Sequence, residues 1–235
     1  MYGIYEWMQE WLREEFHQPQ LLKESERSNI YLLYHRGNGE RFILRHFRGS
    51  AEIYHSLLSY TCPNLPKVLE VGSQGDDNLV LEEYIPGDTL DYLLQGALFA
   101  PRETRSIIKD VCRALWVLHE MNAVHRDVKP ENIILRGAQA VLIDFDAARL
   151  VRSEQDSDTC ILGTTGFAAP EQYGFSQSDW RADIYSLGVL INVMLTGEHP
   201  SRKLAGGQLG RVVERCTQVN PKNRYQNVQR LMEAL

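Results

Sequence analysis

Cysteine is scarce in this sequence, and nothing in its placement suggests a structural use. The four cysteines, Cys62, Cys112, Cys160 and Cys216, lie far apart, with no paired spacing and no cluster with histidine. This scatter argues against structural zinc and for a reducing compartment. Long apolar runs are also missing, so we predict no membrane segment and a cytoplasmic location.

Excess positive charge is absent as well. The formal net charge of the 235 residues is −6, which disfavours a general nucleic-acid or anionic-membrane surface. A local basic groove that holds phosphates remains compatible with this charge. Hydrophobic residues make up 43% of the chain, which is enough for a sizeable core in one large domain or two small ones.

The first residues predict an amphipathic helix. Its apolar residues fall on one helical face, and they are Ile4, Trp7, Met8, Trp11, Leu12 and Phe16. We expect this helix to pack on its own domain. The alternative is a helix for a partner or for self-association, because its acidic polar face disfavours anionic lipid.

The rest of the chain divides by pattern. Short strands with turn signals run from residue 20 to residue 85, interrupted by one short helix at about 51–60. After Pro86-Gly87 the spacing becomes helical, notably over 104–119 and 183–195. We predict an α+β protein with an N-terminal helical extension (1–19) and a main domain (20–235), whose small β part covers 20–85 and whose larger α part covers 86–235.

Two segments carry the chemistry: HRDVKPENIIL at 125–135 and VLIDFDAAR at 141–149. Asp127 and Lys129 stand two residues apart in a loop, Asn132 follows, and Asp144 ends a predicted strand pair. A proton acceptor, a cation and two hard oxygen ligands are thereby predicted around one point. Mg²⁺ bound to nucleotide phosphates prefers such oxygens.

These segments resemble those of eukaryotic-like (Hanks-type) protein kinases of bacteria, and the resemblance covers roughly residues 20–235. It implies a bilobal fold and an ATP- and Mg²⁺-dependent transfer of phosphate to protein hydroxyls. Asp127 would be the catalytic base, Lys129 would steady the transferred phosphate, and Asn132 and Asp144 would bind Mg²⁺. Lysine at position 129 resembles the residue found there in serine/threonine kinases rather than in tyrosine kinases.

The resemblance continues downstream in GTTGFAAPEQY. Thr164 resembles the residue that contacts the catalytic base, and Ala169-Pro170-Glu171 resembles the motif that ends an activation segment. Arg224 would pair with Glu171, and Asp183 would fix the catalytic-loop backbone. Arg126 is similar to the arginine that receives a phosphorylated loop residue, so autophosphorylation is expected; the alternative is a plain polar loop that is not phosphorylated. The candidate acceptors are Ser153, Ser157, Thr159 and Thr165.

The small lobe departs from the family. Lys23, Ser25 and Ser28 occupy the places of three phosphate-loop glycines, which should stiffen that loop and weaken its grip. Ile30 follows at the position that packs on adenine. Arg45 stands where the phosphate-binding lysine is expected, and its flat guanidinium is larger than an ammonium group.

The partner of Arg45 has two candidates. Glu52, at the start of the short helix, matches the family pattern, whereas Glu82 lies at the gatekeeper position behind the adenine site. A buried carboxylate at position 82 needs a partner, so we hypothesise an Arg45–Glu82 pair. The resemblance also places Glu83 and Ile85 at the nucleotide.

Two further departures follow. Asp146 replaces the glycine of the metal-binding loop, where it either aids Mg²⁺ or restricts movement of the loop. The segment after TGEHPSRKL leaves little room for a helix that often docks protein substrates.

Three functions remain open. An active serine/threonine kinase rests on the intact Asp127, Lys129 and Asn132. A pseudokinase that binds nucleotide or acts as a scaffold rests on Arg45 and the missing glycines, although Lys23 could supply a cation from the phosphate loop. A small-molecule phosphotransferase of related fold is favoured only by the lost docking helix.

Overall fold

The structure, a computed structural model, describes residues 3–25, 28–151, 166–173 and 179–235. The chain forms two compact units, Met1–Ile85 and Pro86–Leu235. The first unit is mainly sheet and the second mainly helix, which confirms the predicted α+β class.

The first unit is built on a five-stranded antiparallel sheet with the order β1-β2-β3-β5-β4. Its elements are α1 (Ile4–Glu15), β1 (Gln20–Glu24), β2 (Ser28–Tyr34), β3 (Arg41–Arg48), α2 (Glu52–Leu57), β4 (Val68–Gln74) and β5 (Asp77–Glu83). The strands lie where residue alternation predicts them. Helix α2 ends at Leu57, so it is shorter than the predicted 51–60.

Helix α1 covers one face of this sheet. The buried residues that meet there are Tyr5, Met8, Phe16, Leu33, Leu44, Leu79 and Leu81. A Cβ at Gly72 would lie only 3.1 Å from the Cα of Tyr5, so this glycine lets the helix approach β4 closely. The helix predicted as an extension is therefore part of the core of the first unit, as expected for packing on its own domain.

The strand register determines which residues lie on the opposite face of the sheet. Arg45 lies opposite Ile30 on β2 and opposite Val80 on β5. Side chains alternate between faces, so Arg45 points away from the face that holds Leu44. Phe47 shares the face of Arg45 and packs on Tyr54 of α2, with ring centroids 5.4 Å apart.

The second unit has seven described helical or strand segments of appreciable length and three two-residue strands. They are β6 (Asp88–Thr89), α3 (Leu90–Gly96), α4 (Pro101–Glu120), β7 (Ala123–Val124), β8 (Ile133–Arg136), β9 (Gln139–Leu142), β10 (Arg149–Leu150), α5 (Arg181–Thr196), α6 (Gly207–Cys216) and α7 (Val228–Ala234). Strands β6, β8 and β9 form one small sheet, and β7 pairs with β10.

Helices α4 and α5 form the core of the second unit. Helix α4 begins at Pro101, whose preset backbone angle suits that position, and the Glu103 carboxylate accepts the N–H of Ala100 at 2.8 Å. Helix α5 is buried along most of its length. A Cβ at Gly188 would lie 2.4 Å from the Cβ of Cys216, so glycine lets α5 and α6 pack closely.

Candidate active site

The catalytic loop brings three of the predicted residues together. The Lys129 Nζ atom lies 2.8 Å from Oδ2 of Asp127. The side-chain amide of Asn132 donates to the same oxygen at 3.0 Å and to the Asp127 carbonyl at 2.9 Å. A cation and an amide thus fix the Asp127 carboxylate, which is what a positioned proton acceptor requires.

A second carboxylate holds the backbone of this loop. Asp183 on α5 accepts the N–H of His125 at 3.0 Å and the N–H of Arg126 at 2.8 Å. Arg126 has a φ of 69°, a left-handed conformation that a non-glycine residue adopts only when its surroundings impose it. The predicted role of Asp183 is confirmed by these bonds.

Burial and hydrogen bonding set the protonation of this scaffold. Burial alone would raise the pKa of Asp183, but the hydrogen bonds that it makes with His119 and with the Arg126 N–H oppose this effect, and the pKa is lowered. Burial lowers the pKa of His125, against the opposing charges of Asp183 and Asp127. At neutral pH Asp183 is therefore charged and His125 is neutral.

The two predicted metal ligands flank one hairpin. Asn132 directly precedes β8, and its backbone carbonyl accepts the N–H of Ile143, next to Asp144, at 2.9 Å. The side-chain nitrogen of Asn132 donates both of its hydrogen bonds to Asp127. The side-chain oxygen of Asn132, Oδ1, is the atom that could bind a metal ion. Asp144 has a φ of 69°, a second left-handed position. An amide oxygen and a carboxylate fit Mg²⁺, which takes its other ligands from phosphate and water.

Asp146 takes part in the turn after Asp144. Its backbone N–H lies 3.4 Å from Oδ1 of Asp144, and its side chain is exposed. Phe145 packs edge-on against the buried His125, with ring centroids 5.7 Å apart. The metal-loop phenylalanine and the catalytic-loop histidine are therefore in direct contact.

Two residues of this unit were missed by sequence reasoning. Gln172 donates to the Arg126 carbonyl at 3.0 Å and accepts the Ala169 N–H at 2.9 Å. His119 lies 2.9 Å from Asp183. The only sequence signal for Gln172 is its place next to Glu171, and His119 gave none because its contact spans 64 residues.

The predicted Arg224–Glu171 pair is confirmed. The two guanidinium Nη atoms donate to the two carboxylate oxygens at 2.6 and 2.8 Å. The side chain of Arg224 has no exposed area, whereas that of Glu171 is 13% exposed. This bidentate contact ties the end of the activation segment to the segment before α7.

The hypothesised Arg45–Glu82 pair in the first unit is also confirmed. Nε of Arg45 lies 3.2 and 3.1 Å from the two Glu82 oxygens. Each side chain is only 3% exposed. The structure places Glu82 against Arg45, and Ile30 lies opposite Arg45 on β2. Lys23 in turn lies opposite Ile30 on β1.

Serines close the loop where glycines were expected. The Ser25 hydroxyl donates to the Ser28 carbonyl at 2.8 Å and accepts the Ser28 N–H at 3.0 Å. The Ser25 N–H also donates to the Ser28 carbonyl at 2.9 Å. These three bonds join the two ends of the loop, and its stiffness stays a prediction.

The other nucleotide candidates occupy separate elements of the first unit. Glu52 is exposed at the start of α2, Glu83 ends β5, and Ile85 is buried just after it. Thr164 and the candidate phosphorylation positions Ser153, Ser157, Thr159 and Thr165 lie outside the described residues.

The described residues contain neither a cluster of acidic, histidine and cysteine side chains suited to a metal ion nor a membrane-spanning helix. Within 3–25, 28–151, 166–173 and 179–235, no group of three or more His, Cys, Asp or Glu side chains could hold a metal ion. None of the helices in these ranges is long and apolar enough to cross a membrane.

Comparison with known families agrees with this site. The family described as "Protein kinase domain" matches residues 41–234. The chain therefore belongs to the protein kinase family. The matched region begins with β3 and leaves out the serine-closed loop.

Individual relatives define the branch of that family. The chain is 30% identical to the serine/threonine-protein kinase pkn2 of Myxococcus xanthus over 73% of its length. It is 35% identical to a probable serine/threonine-protein kinase of Clostridium perfringens over 67%, and 35% identical to PknB of Mycolicibacterium smegmatis over 63%. The chain spans 21%, 23% and 28% of these relatives. These likenesses place the chain in the Hanks-type branch of the family, with bacterial serine/threonine kinases as its relatives.

Proposed function

We propose that this chain is an active serine/threonine protein kinase that uses ATP and Mg²⁺ and also phosphorylates itself. The observation that carries the proposal is the intact Asp127, Lys129 and Asn132 cluster, held at hydrogen-bond distance on a loop that Asp183 braces. A carboxylate, a cation and an amide held in this way are the groups that positioning and charge stabilisation in phosphoryl transfer require.

In this proposal, Asp127 accepts the proton of the attacking serine or threonine hydroxyl. Lys129 stabilises the negative charge on the transferred phosphoryl group, and the Asn132 amide keeps Asp127 oriented. Asn132 and Asp144 would hold Mg²⁺, which neutralises charge on the phosphates when bound. Thr164 is proposed to contact Asp127.

The first unit contributes the predicted nucleotide residues. They are Ile30, Arg45, Glu52, Glu83 and Ile85. The resemblance assigns Arg45 to the phosphates and Ile30 to the adenine. A cytoplasmic location and a protein substrate, rather than nucleic acid, belong to the same proposal.

The test is phosphate transfer from radiolabelled ATP with Mg²⁺ to a general protein substrate and to the chain itself. The matched control is Asp127→Asn, which keeps the shape of the side chain but removes the proton acceptor. We expect this variant to be slower by about 10²–10⁴-fold. Equal transfer by both proteins would contradict the assigned role of Asp127.

A pseudokinase is the second candidate, and a specific observation favours it. The cation at position 45 is bound to a buried glutamate, and serines close the phosphate loop. Both features differ from the lysine and the glycine-rich loop with which protein kinases ordinarily bind the nucleotide phosphates. ATP binding without any transfer by the wild-type protein would favour this candidate.

Helix α1 supports a proposal of self-association. Ile4 and Trp7 on this helix are 52% and 46% exposed, and Trp7 stacks on Trp11 at 5.6 Å. Sedimentation velocity would show a concentration-dependent dimer that Trp7→Ser weakens. A monomer at every concentration would contradict self-association.

A further inference from the structure

The side chain of Gln172 joins the end of the activation segment to the catalytic loop. Gln172 lies in a 3₁₀ turn, Pro170–Tyr173, and is only 1% exposed. Its Nε2 atom donates to the carbonyl of Arg126 at 3.0 Å, and its Oε1 atom accepts the N–H of Ala169 at 2.9 Å. One partner accepts and the other donates, so the two ends of the amide are not interchangeable. These contacts therefore fix the orientation of the side chain.

The accepting carbonyl belongs to the peptide unit that leads into Asp127. A peptide unit is planar, so the Arg126 carbonyl and the Asp127 N–H move together. The carbonyl is held by Gln172, and the N–H is held by Nδ1 of His125 at 3.3 Å. The preceding N–H, that of Arg126, is held by Asp183 at 2.8 Å. This stretch of backbone is thus bound by two elements outside the loop, which are the activation segment and α5.

The left-handed conformation of Arg126 explains why the backbone depends on such bonds. Its φ of 69° is unfavourable for a residue with a Cβ, and it persists only where the surroundings impose it. Asp183 binds the N–H of Arg126, and Gln172 binds the carbonyl. Loss of either bond would let the peptide unit rotate, and the carboxylate of Asp127 would turn with the backbone.

We propose that Gln172 is a positioning residue for catalysis, which orients Asp127 by holding the carbonyl of Arg126. The inference rests on the proposed function, because it concerns the residue that is assigned there as the proton acceptor. Gln172 acts through the backbone and not on the reacting atoms. It makes the orientation of Asp127 depend on where the end of the activation segment lies.

The turn that carries Gln172 is itself anchored on the second unit. The neighbouring Glu171 makes two hydrogen bonds with the buried Arg224, at 2.6 and 2.8 Å. On the N-terminal side, the Phe167 carbonyl accepts the hydroxyl of Ser186, which lies on α5, at 2.8 Å. The segment is thus held on both sides of Gln172, so that this side chain presents a fixed donor to the catalytic loop.

The experiment measures kcat and the KM values for ATP and for a general protein substrate in Gln172→Glu and Gln172→Met. Gln172→Glu keeps the shape of the side chain and the acceptor for Ala169, but it places an oxygen against the Arg126 carbonyl. We expect kcat to fall by about 10–10²-fold, because a small misplacement of a reacting group has an effect of this size. Both KM values should stay within about threefold of wild type, since no binding group is removed. Gln172→Met removes the donor without adding a charge and should lower kcat similarly.

The matched control is Gln208→Glu. The Gln208 side chain also donates to a backbone carbonyl, that of Ala234 at 3.1 Å, but it is exposed. The chemical change is the same, and kcat should stay within about threefold of wild type. Thermal unfolding identifies a temperature at which all variants are folded. If the folded Gln172 variants keep the wild-type kcat, or if their loss is confined to the KM for the protein substrate, the inference is overturned.

Amide hydrogen exchange gives a second readout that does not require phosphate transfer. In Gln172→Met the N–H of Asp127 should exchange faster than in the wild type, because its peptide unit is no longer held at the carbonyl. Protection of the Ile108 N–H, within the core helix α4, reports the stability of the whole unit and should fall by a smaller factor. Equal changes at the two positions would show that the variant only destabilises the fold, which would overturn the inference.

Failure of the proposed function is distinguishable from failure of the inference. If the wild type transfers phosphate and Gln172→Met matches its kcat, only the inference fails. If the wild type transfers none, the proposed function fails, and exchange at Asp127 decides the inference alone. Faster exchange in Gln172→Met would then support the inference, and unchanged exchange would overturn it.

Discussion

Arg224 and Glu171 form two parallel hydrogen bonds, from Nη1 to Oε1 at 2.6 Å and from Nη2 to Oε2 at 2.8 Å. The remaining donors of Arg224 reach backbone carbonyls, including that of Gln218 at 2.7 Å and that of Arg181 at 2.9 Å. A buried cation is thus fully hydrogen-bonded, and its removal would leave several groups without partners.

We expect Arg224→Met to lower the free energy of unfolding by about 3–5 kcal/mol, because the Glu171 carboxylate would lose its partner. Urea unfolding measures the change. The control is Arg230→Met, which removes an exposed pair with Glu233 at 2.9 Å and should change stability by less than about 1 kcal/mol. Similar losses in the two variants would show that burial is not the cause.

Asp183→Asn should disturb the catalytic loop without touching substrate. The new amide would face the N–H groups of His125 and Arg126, at a cost of about 1.5–3 kcal/mol for each lost charged bond. Amide hydrogen exchange at these two positions should become faster, and kcat should fall more than the KM for ATP changes. Asp91→Asn, an exposed carboxylate bonded to Gln95, is the control. Unchanged exchange in Asp183→Asn would contradict the bracing role.

The buried His125 predicts a loss of stability in mild acid. Burial lowers its pKa below the ordinary value of 6.5, so below that pH the unfolded chain binds a proton that the folded chain does not. Stability should therefore fall as pH decreases from about 6.5, by at most about 1.4 kcal/mol per pH unit. The lowered pKa of Asp183 acts in the same direction only below its ordinary value of 3.8.

Unfolding by urea at several pH values between 7 and 5 tests this dependence. His125→Leu cannot titrate and should flatten the dependence on pH, whatever its effect on stability at pH 7. His55→Gln removes an exposed histidine and should leave the slope as it is in the wild type. An unaltered slope in His125→Leu would assign the acid sensitivity to other groups.

Asn192 should hold the segment between α5 and α6, where the sequence leaves little room for a substrate-docking helix. Its buried amide donates to the carbonyls of Glu198 and Lys203, both at 2.7 Å, and accepts the Ala205 N–H at 2.8 Å. Between α5 and α6 the structure describes turns and irregular backbone, as the short spacing predicts. Asn192→Leu would leave these backbone groups without partners, at about 1–3 kcal/mol each.

We therefore expect trypsin to cleave Asn192→Leu faster after Arg202 and Lys203 than it cleaves the wild type. Mass spectrometry of the fragments locates the cuts. Asn220→Ala, which removes an exposed turn cap to Lys222, is the control and should not affect this site. Equal cleavage rates at Arg202 in Asn192→Leu and the wild type would show that Asn192 does not hold the segment between α5 and α6.

Sequence reasoning predicted the features that local patterns encode. Alternating residues located β1 to β5, and the motif around Asp127 located the catalytic loop, because its residues are close together along the chain. The partner of Arg45 required a hypothesis, since Glu82 is 37 residues away and only strand register brings them together. The two-residue strands β6, β7 and β10 are too short to show any periodicity. The contacts of Gln172 and His119 likewise depend on packing between distant segments.

Arg126 and Asp144 share a property with a practical consequence for engineering. Both are non-glycine residues with a φ of 69°, and such positions commonly cost about 1–3 kcal/mol each. Glycine at either place would remove this backbone strain, and where that gain exceeds the loss of side-chain contacts and the entropic cost of glycine, a screen that selects for heat resistance alone would favour it. Such a screen would select variants that lack side chains of the candidate active site, because it measures thermal stability and not activity. Thermostable variants of this protein are better sought on its exposed helix surfaces.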